Sequence, residues 1–331
     1  MVLLAVEDLT VTLDTVQGPG RAVRDLSFEL AKGATLGIVG ESGCGKSMTA
    51  LAIMGLLPEN ARTDGRVLFD GRDLLKLSEG ELCTIRGNRI GMVFQEPMTS
   101  LNPVHPIGRQ VAEALVIHRG MSRGAAKREA IALLDRVGIP LAAQRFDHHP
   151  HQLSGGQRQR VMIAMALSCG PDLLIADEPT TALDVTIQKQ ILDLLQGLID
   201  DLGMGLILIS HDLGVIAQSV DDIIIMYGGA AIERGGAATI FQELSHPYTQ
   251  GLFGAVPRLG QRRPDGQPVR LSSISGTVPE LNDLPDGCTF AGRCELVSDE
   301  CRAAAPPLVE ISAGHAAACV HLREARERWQ L

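Results

Sequence analysis

The sequence lacks a long hydrophobic run. Its longest apolar stretches, 161–167, 206–209 and 223–226, fall far short of the ~18–20 residues that span a bilayer. Residues 1–10 carry no positive charge and place acidic side chains where a signal peptide would be apolar. We therefore expect a chain that stays in the cytoplasm and associates with a membrane only through a partner.

The sequence also lacks an excess of basic residues. Lys and Arg total 30 against 39 Asp and Glu, which gives a formal net charge of −9. A nucleic-acid-binding protein normally presents a basic face, so we expect no nucleic-acid partner. The seven cysteines of a cytosolic chain are not expected to pair as disulfides. A hydrophobic content of 45% and a charged content of 21% over 331 residues indicate a globular protein with room for about two domains.

A glycine-rich loop over residues 40–47 is the strongest feature that is present. It reads Gly-Glu-Ser-Gly-Cys-Gly-Lys-Ser and matches G-x-x-x-x-G-K-[S/T], a pattern typical of loops that cradle nucleotide phosphates. An apolar strand is predicted before it over 34–39 and a helix after it over 48–57, a frame that disfavours a turn matching by chance. The residues expected to bind the nucleotide here are Gly40, Ser42, Gly43, Cys44, Gly45, Lys46 and Ser47. Lys46 would reach the β- and γ-phosphates, and the Ser47 hydroxyl would ligate Mg²⁺.

An acidic motif follows a buried strand that is predicted over 173–176. Asp177 and Glu178 stand at the C-terminal end of this strand, where open α/β sheets place ligand-binding groups. Asp177 is suited to the Mg²⁺ shell, and Glu178 is suited to orienting and polarising an attacking water. The alternative is that Asp-Glu-Pro merely ends a strand and begins a turn, which the phosphate loop upstream disfavours.

Residues 153–157, Leu-Ser-Gly-Gly-Gln, form a third motif. Ser154 is predicted to cap a helix over 158–167, and the two glycines expose backbone N–H groups at the start of that helix. The chain would thus carry a second helix end able to bind a phosphate. The residues assigned to it are Ser154, Gly155, Gly156 and Gln157.

Together these motifs resemble those of ABC-type ATPases over residues 1–235. In that family the motif at 153–157 closes over the γ-phosphate bound by the opposite protomer. The resemblance also implies roles for Gln95, which would touch Mg²⁺ and the water, and for His211, which would hydrogen-bond the γ-phosphate. Residues 182–184 resemble the loop that places Asp184 at the dimer contact.

The resemblance also implies which residues catalyse hydrolysis and which bind Mg²⁺. The implied catalytic residues are Glu178, His211 and Gln95. The implied Mg²⁺ site consists of Ser47, Gln95 and Asp177.

The sequence departs from the family where a base would stack. ABC ATPases usually stack the adenine on an aromatic residue near the end of the first strand, and Leu13 takes that place here. Aromatic residues make up only 3% of the chain. Base stacking contributes roughly 1–3 kcal/mol, so the affinity for adenine and the preference for ATP over GTP stay open.

The order of patterns along the chain predicts an α/β protein. Strands that alternate with helices imply a largely parallel sheet, with a helical subdomain inserted at about 98–170. We divide the chain into a P-loop ABC-type nucleotide-binding domain, 1–236, and a C-terminal extension that contains cysteines, 237–331. Within the extension, 260–268 is predicted to be a polar linker.

The last part of the chain is crowded with cysteines, namely Cys288, Cys294, Cys301 and Cys319. Proline and glycine around them predict an irregular fold that needs a staple, and soft thiolates favour Zn²⁺ or an iron–sulfur cluster. The C-x2-C pairs of zinc ribbons are missing. Segments 246–249 and 287–294 resemble the C-terminal extension of dipeptide and oligopeptide importer ATPases, some of which hold a 4Fe–4S cluster on four such cysteines. The alternatives are zinc bound with His315 or His321, and free thiols.

These features predict the ATP-hydrolysing subunit of an ABC importer for dipeptides and oligopeptides, at the cytoplasmic face of the inner membrane. The resemblance implies ATP, Mg²⁺ and one 4Fe–4S cluster as cofactors. It implies as partners a second ATPase subunit, in a heterodimer rather than a homodimer, two permease subunits and a solute-binding protein. An importer of the same group for nickel, glutathione or glycosides is one alternative.

A non-transport ABC ATPase of DNA repair, translation or iron–sulfur assembly is another alternative. Such proteins tend to carry two P-loops, long coiled coils or basic arms, and the sequence shows none of these. A P-loop kinase is disfavoured because 154–157 would have no role in it.

Overall fold

The computed structural model describes residues 1–96, 100–181, 183–255 and 274–329. Its strands are β1 (Val2–Thr15), β2 (Gly18–Ala31), β3 (Thr35–Val39), β4 (Ala61–Phe69), β5 (Arg72–Asp73), β6 (Ile90–Val93), β7 (Leu173–Asp177), β8 (Gly205–Ser210), β9 (Asp222–Tyr227), β10 (Ala230–Gly236), β11 (Val309–Ser312) and β12 (His315–Ala317). Its α-helices are Lys46–Met54, Glu79–Ile85, Ile107–Arg119, Arg123–Arg136, Ala142–Arg145, Gly155–Leu167, Val185–Leu202, Leu213–Ile216, Ala237–Gln242, Pro247–Gly254, Asp299–Ala303 and Leu322–Trp329. The predicted linker 260–268, Met98 and Ala182 lie outside the described residues.

The central sheet has the strand order β11-β12-β10-β9-β3-β8-β7-β6. The strands β9, β3, β8, β7 and β6 run parallel, whereas β10, β12 and β11 are antiparallel. β3, β7 and β8 are buried along their whole length, which explains why they read as continuous apolar runs. Because the carboxyl ends of parallel strands meet at one edge, the residues that follow β3, β6, β7 and β8 converge there.

A second sheet is antiparallel, with the order β2-β1-β4-β5. The predicted largely parallel sheet therefore describes the central sheet, whereas the N-terminal strands form a separate antiparallel sheet that the prediction did not distinguish. They form their own layer because a short turn joins β1 to β2, and so short a connection suits antiparallel strands. Their inward side chains, among them Leu4, Leu9 and Leu26, are fully buried in a core that they share with the helix Lys46–Met54.

The connection between β6 and β7 is mainly helical. The helices Ile107–Arg119, Arg123–Arg136 and Gly155–Leu167 pack around one apolar core, to which Val111 and Leu134 contribute without any exposed surface. Across the described ranges, no helix is both long and apolar enough to cross a membrane.

Two predicted boundaries near the phosphate loop shift in the structure. The apolar pattern of residues 90–95 predicts a strand over that range, and in the structure the strand ends at Val93. The helix predicted over 48–57 begins two residues earlier and ends at Met54. Gly55 follows with a left-handed φ of 62° and caps the last turn. A glycine in this conformation stops the helix before Pro58 is reached.

Residues 274–329, called the C-terminal segment below, add two strands to the central sheet. β12 pairs with β10, and β11 pairs with β12. The predicted irregular fold describes 274–308, which runs mainly through turns, but it misses the hairpin and the helix Leu322–Trp329. β12 is only His-Ala-Ala, too short for an alternating pattern to be visible in the sequence.

A buried carboxylate anchors this addition. Glu233 of β10 has no exposed surface and accepts hydrogen bonds from the backbone N–H groups of Ser245 and His246 and from the Thr249 hydroxyl. Its Oε1 also lies 2.8 Å from Nε2 of His315 in β12. Four partners satisfy the carboxylate, which makes burial of a charge tolerable and ties the last strands to the domain.

Candidate nucleotide-binding site

The loop at 40–47 follows β3, and its own carbonyl groups hold the lysine side chain. The Lys46 side chain is 5% exposed, and its Nζ donates to the carbonyl oxygens of Gly40 at 2.8 Å and Glu41 at 3.0 Å. The same Nζ lies 3.9 Å from Oε1 of Glu178. The ammonium group is therefore fixed over the loop, where it can neutralise phosphate charge.

Glycines let this loop sit directly on its neighbours. Gly45 has a left-handed φ of +97°, and a Cβ atom on it would lie 2.3 Å from the carbonyl oxygen of Ala22 in β2. A Cβ atom on Gly40 would lie 2.3 Å from the carbonyl oxygen of Met226 in β9. Any other residue at these two positions would force the backbone away from the strands.

The cysteine of the loop points into the protein. Cys44 is fully buried, and burial raises the pKa of its thiol above the ordinary value. Its Sγ lies 3.9 Å from Nζ of Lys46. The side chain therefore belongs to the core, and only the backbone of Cys44 is left to serve a nucleotide.

The last residue of β7 provides a carboxylate that has one oxygen without a hydrogen-bond partner. Asp177 is 4% exposed, its carboxylate is hydrogen-bonded to Ser47, and its Oδ1 has no hydrogen-bond partner. Burial raises the pKa of Asp177, and the neighbouring charge of Glu178 adds to this. A buried carboxylate oxygen without a partner, beside a serine hydroxyl, is the donor set that Mg²⁺ takes in phosphoryl-transfer sites.

Glu178 is the point on which the other predicted groups converge. Its Oε2 accepts from Nε2 of Gln95 at 3.0 Å and lies 3.1 Å from Nδ1 of His211. The Thr181 hydroxyl donates to the same oxygen at 2.9 Å. Gln95 follows β6, Glu178 follows β7 and His211 follows β8, so the parallel strand ends bring these residues together.

The surroundings of Glu178 keep it ionised. Burial by itself would raise the pKa of this carboxyl, but the Thr181 hydrogen bond and the charges of His211 and Lys46 outweigh it and hold the pKa below its ordinary value. The backbone of Glu178 has a positive φ of 45°, which is rare for a residue other than glycine. The site therefore contains an ionised carboxylate, held in position at the edge of the cleft.

Three contributors were missed by sequence reasoning. Thr181 had a local signal, since it stands three residues after Glu178. Tyr248 and Arg293 had none: the Glu41 N–H donates to the Tyr248 hydroxyl at 2.9 Å, and Arg293 binds the Glu41 carboxylate through two nitrogens at 2.6 and 3.1 Å. Both contacts join the phosphate loop to residues more than 200 positions away.

These groups line a cleft of about 460 Å³. Its phosphate end is formed by Ser42, Gly43, Gly45, Lys46, Ser47, Met48, Gln95 and Glu178. Its remaining walls are formed by Leu13, Ala22 and residues 278–281 of the C-terminal segment.

The motif at 153–157 lies elsewhere. Ser154 caps the helix Gly155–Leu167: its Oγ accepts from the Gln157 N–H at 3.3 Å, and Oε1 of Gln157 accepts from the Ser154 N–H at 3.1 Å. Asp184 caps the next helix through the Ile187 N–H at 2.9 Å. Ser154, Gly155, Gly156, Gln157 and Asp184 line a separate cavity of about 750 Å³. Within one chain, this motif and the phosphate loop thus face different spaces.

The four C-terminal cysteines are close neighbours. Burial raises the pKa of Cys288, Cys294 and Cys319, the last to about 11, and the nearby thiols of the group contribute to each increase. The Leu296 N–H donates to Sγ of Cys294, and the His321 N–H donates to Sγ of Cys319. Over the ranges that the structure describes, however, no three His, Cys, Asp or Glu side chains stand at metal-binding distances. The predicted iron–sulfur site therefore has its donors gathered but not in ligating geometry.

Comparison with known proteins shows which family shares these motifs. The family model for ABC transporters matches residues 23–181, and the model for the C-terminal region of oligopeptide/dipeptide transporters matches 232–301. The oligopeptide transport ATP-binding protein OppD of Salmonella typhimurium is 50% identical over 96% of this chain and 93% of its own length. The chain belongs to the ABC transporter ATP-binding family. The dipeptide transport ATP-binding protein DppD of Bacillus subtilis is 52% identical over 88% of this chain and 86% of its own.

Solved structures of the family share the fold. The ATP-binding cassette MJ0796, described as a dimer in a post-hydrolysis state bound to ADP and Pi, superposes with a TM-score of 0.64 at 30% identity, over 71% of this chain and 98% of its own. The predicted ABC ATPase fold and the predicted ATPase class are thereby confirmed.

Proposed function

We propose that the cleft at 40–47 hydrolyses ATP to drive the import of dipeptides and oligopeptides. The observation that supports this most strongly is the convergence of Gln95, Thr181 and His211 on one carboxylate oxygen of Glu178. A carboxylate with a lowered pKa, held beside an amide and an imidazole, is suited to orient a water molecule for attack on a phosphate.

The chemistry asked of this chain is positioning and charge neutralisation. Lys46 is placed to contact the terminal phosphates, and Glu178 to take a proton from the attacking water. His211 and Gln95 would fix the direction of that water because each already contacts the Glu178 carboxylate. Ser47 and Asp177 would hold Mg²⁺, and the unpartnered Oδ1 of Asp177 fits this role. When bound, Mg²⁺ would offset the charge on the phosphate oxygens.

A complete site would take two chains. Ser154 and Gly156 line a cavity apart from the phosphate loop, yet they present a capped helix end suited to a phosphate. We infer that they close over the nucleotide of a facing ATPase subunit, with Asp184 at the contact. The dimeric state named for MJ0796 supports such a pairing.

The relatives' names, which give peptide transport, support the partners that we infer for this subunit. A peptide importer needs two permease subunits and a solute-binding protein, and we place this subunit at the cytoplasmic face of the inner membrane, paired with a second, different ATPase subunit. The test is ATP hydrolysis by the purified complex in lipid, with the binding protein loaded with candidate solutes. Peptides are expected to stimulate phosphate release. Stimulation by a nickel chelate or a glycoside, and not by peptides, would reject the peptide assignment while leaving the ATPase intact.

We further propose that Cys288, Cys294, Cys301 and Cys319 hold a 4Fe–4S cluster in a C-terminal extension. Burial and the neighbouring thiols raise the pKa of Cys288, Cys294 and Cys319, which shows that these side chains are grouped, and the N–H groups directed at Sγ of Cys294 and Cys319 suit a cluster.

The cluster can be tested by its iron and its colour. An anaerobic preparation should contain about four irons per chain and absorb in the visible range. Cys294→Ser should lose both signals, whereas Cys83→Ser, at an exposed position outside the group, should keep them. A colourless, iron-free and fully folded wild-type protein would refute the proposal.

A further inference from the structure

The end of the nucleotide cleft beyond the phosphate loop is built from two distant parts of the chain. Leu13 of β1 lines it from the N-terminal sheet, and Val278, Pro279, Glu280 and Leu281 line it from the C-terminal segment. We call residues 278–281 the base wall. Among the residues that the structure describes, no aromatic side chain lines this cleft.

Strand register locates the base wall relative to the phosphates. Gly45 of the phosphate loop touches β2 at Ala22, and Leu281 touches β2 at Gly20. These two contacts are two residues apart on one strand, which is about 7 Å. Gly20 also pairs with Leu13 across the β1–β2 ladder. Leu13 and Leu281 therefore lie side by side, at a distance from the phosphate loop that the ribose of a nucleotide would span.

Because Gly20 has no side chain, the base wall can pack directly against β2. A Cβ atom there would lie 2.4 Å from Oδ1 of Asn282 and 2.7 Å from Cδ2 of Leu281. Asn282 itself is bound to the hairpin, since its Nδ2 donates to Oγ1 of Thr15 at 2.8 Å. One end of the base wall is thus fastened to the N-terminal sheet.

The other end is fastened to the phosphate loop. The Arg293 side chain is 5% exposed, and its Nε donates to the carbonyl oxygen of Ser275 at 2.9 Å. Its two terminal nitrogens bind the carboxylate of Glu41. One guanidinium therefore links the chain just before the base wall to the loop that would hold the phosphates, and such paired, charge-assisted bonds are strong.

We propose that Leu281, together with Val278 and Pro279, forms with the adjacent Leu13 the surface against which the purine of a nucleoside triphosphate packs. The C-terminal segment thereby completes the nucleotide site of its own chain and supplies apolar contact where stacking on an aromatic ring is missing. Arg293 and Asn282 are positioning residues that hold this surface in place. The inference rests on the proposed assignment of the cleft to the nucleotide.

The test compares a ligand that has a base with one that lacks it. The affinities of the full chain for Mg-ATP and for Mg-tripolyphosphate would be measured by calorimetry. Leu281→Ala is expected to weaken ATP binding roughly three- to tenfold, the loss for a few buried methyl groups, and to leave tripolyphosphate binding unchanged. Leu281→Phe is expected to tighten ATP binding alone. Val309→Ala, at an exposed apolar position of the same segment, should change neither affinity.

Each other outcome counts against the base wall. Equal losses for both ligands would show that Leu281 only supports the fold, and unchanged ATP affinity in both Leu281 variants would show that the purine lies elsewhere. Lys46→Ala separates this from the proposed phosphate site, because it should abolish binding of both ligands. If Lys46→Ala binds both normally, the phosphate assignment fails whatever Leu281 does.

Discussion

The two ends of the nucleotide cleft are assembled in different ways. At the phosphate end, Lys46 is held by carbonyls of its own loop, and the groups around Glu178 come from neighbouring strand ends of one sheet. At the base end, the walls come from β1 and from the C-terminal segment, and the hydrogen bond between Thr15 and Asn282 joins residues 267 positions apart. Phosphate chemistry needs charges fixed to a fraction of an ångström, which a short loop and adjoining strand ends provide. Holding a base needs only apolar area, which any segment that reaches the cleft can supply.

The largest effect should come from removing the charge at the phosphate end. Glu178→Gln keeps the shape of the side chain but cannot take a proton, so phosphate release should fall by at least about 100-fold while ATP binding persists. Phosphate release and ATP-dependent dimer formation would be measured together. Glu59→Gln, at an exposed position, is the control. Turnover at the wild-type rate would remove Glu178 from its role.

Low pH should lower the folding stability of the region around Glu233, which anchors the C-terminal segment. His246 is fully buried beside Glu233, and burial lowers its pKa from 6.5 to about 4, although the Glu233 charge opposes this. Between pH 6.5 and about pH 4 the unfolded chain binds a proton that the folded chain does not, so this contribution to stability is complete above pH 6.5 and is lost as the pH falls. The loss would reach about 3 kcal/mol by pH 4.

Chemical unfolding at several pH values would measure this loss. His246→Asn, which keeps an acceptor for the helix start but does not titrate, should flatten the dependence between pH 6.5 and 4. His105→Asn, at an exposed position, should not. An unchanged slope in His246→Asn would assign the acid sensitivity to another group.

A smaller effect is expected at the link between the two ends. Arg293→Ala removes two charge-assisted bonds to Glu41 and one to Ser275, so the KM for ATP should rise about tenfold with little change in kcat. Steady-state kinetics would show this split. Arg326→Ala breaks a more exposed ion pair with Glu243 and should leave both constants near wild type. A fall in kcat alone would mean that Arg293 acts on the chemistry rather than on the base end.

The smallest effect concerns the choice of base. Aliphatic side chains such as Leu13 and Leu281 contact the faces of a purine without reading its edge, so kcat/KM for GTP should lie within about threefold of that for ATP. Parallel assays with both nucleotides measure this ratio. Strong discrimination against GTP would point to a polar contact at the base end that the apolar walls do not explain.

The phosphate end could be read from the sequence because its parts are short and continuous. Lys46, Ser47, Asp177 and Glu178 each stand in a local pattern directly after an apolar strand, and the parallel order of those strands brings them together. The convergence of Gln95 and His211 on Glu178 also follows from this order, although the family resemblance was needed to select those two side chains.

The base end could not be read in the same way. Arg293 and Leu281 act through contacts with residues far away in the chain. Leu281 lies in a turn over 280–283, but a local turn does not reveal which distant strand it packs against. The three-residue strand β12 likewise owes its place to pairing with β10 and to the bond between His315 and Glu233, not to its own propensity. The predicted largely parallel sheet did not separate off the N-terminal strands for a related reason, since the order of strands and helices does not reveal which strands form a separate layer.

Gly20 gives this architecture an unusual sensitivity. A single added carbon at that position would collide with the side chains of both Asn282 and Leu281, which would have to turn away from β2. A substitution in an N-terminal hairpin, far in sequence from any residue of the catalytic motifs, would then lower the affinity for the nucleotide. Sequence variation at position 20 would accordingly decide how the side chain of Leu281 meets the ligand.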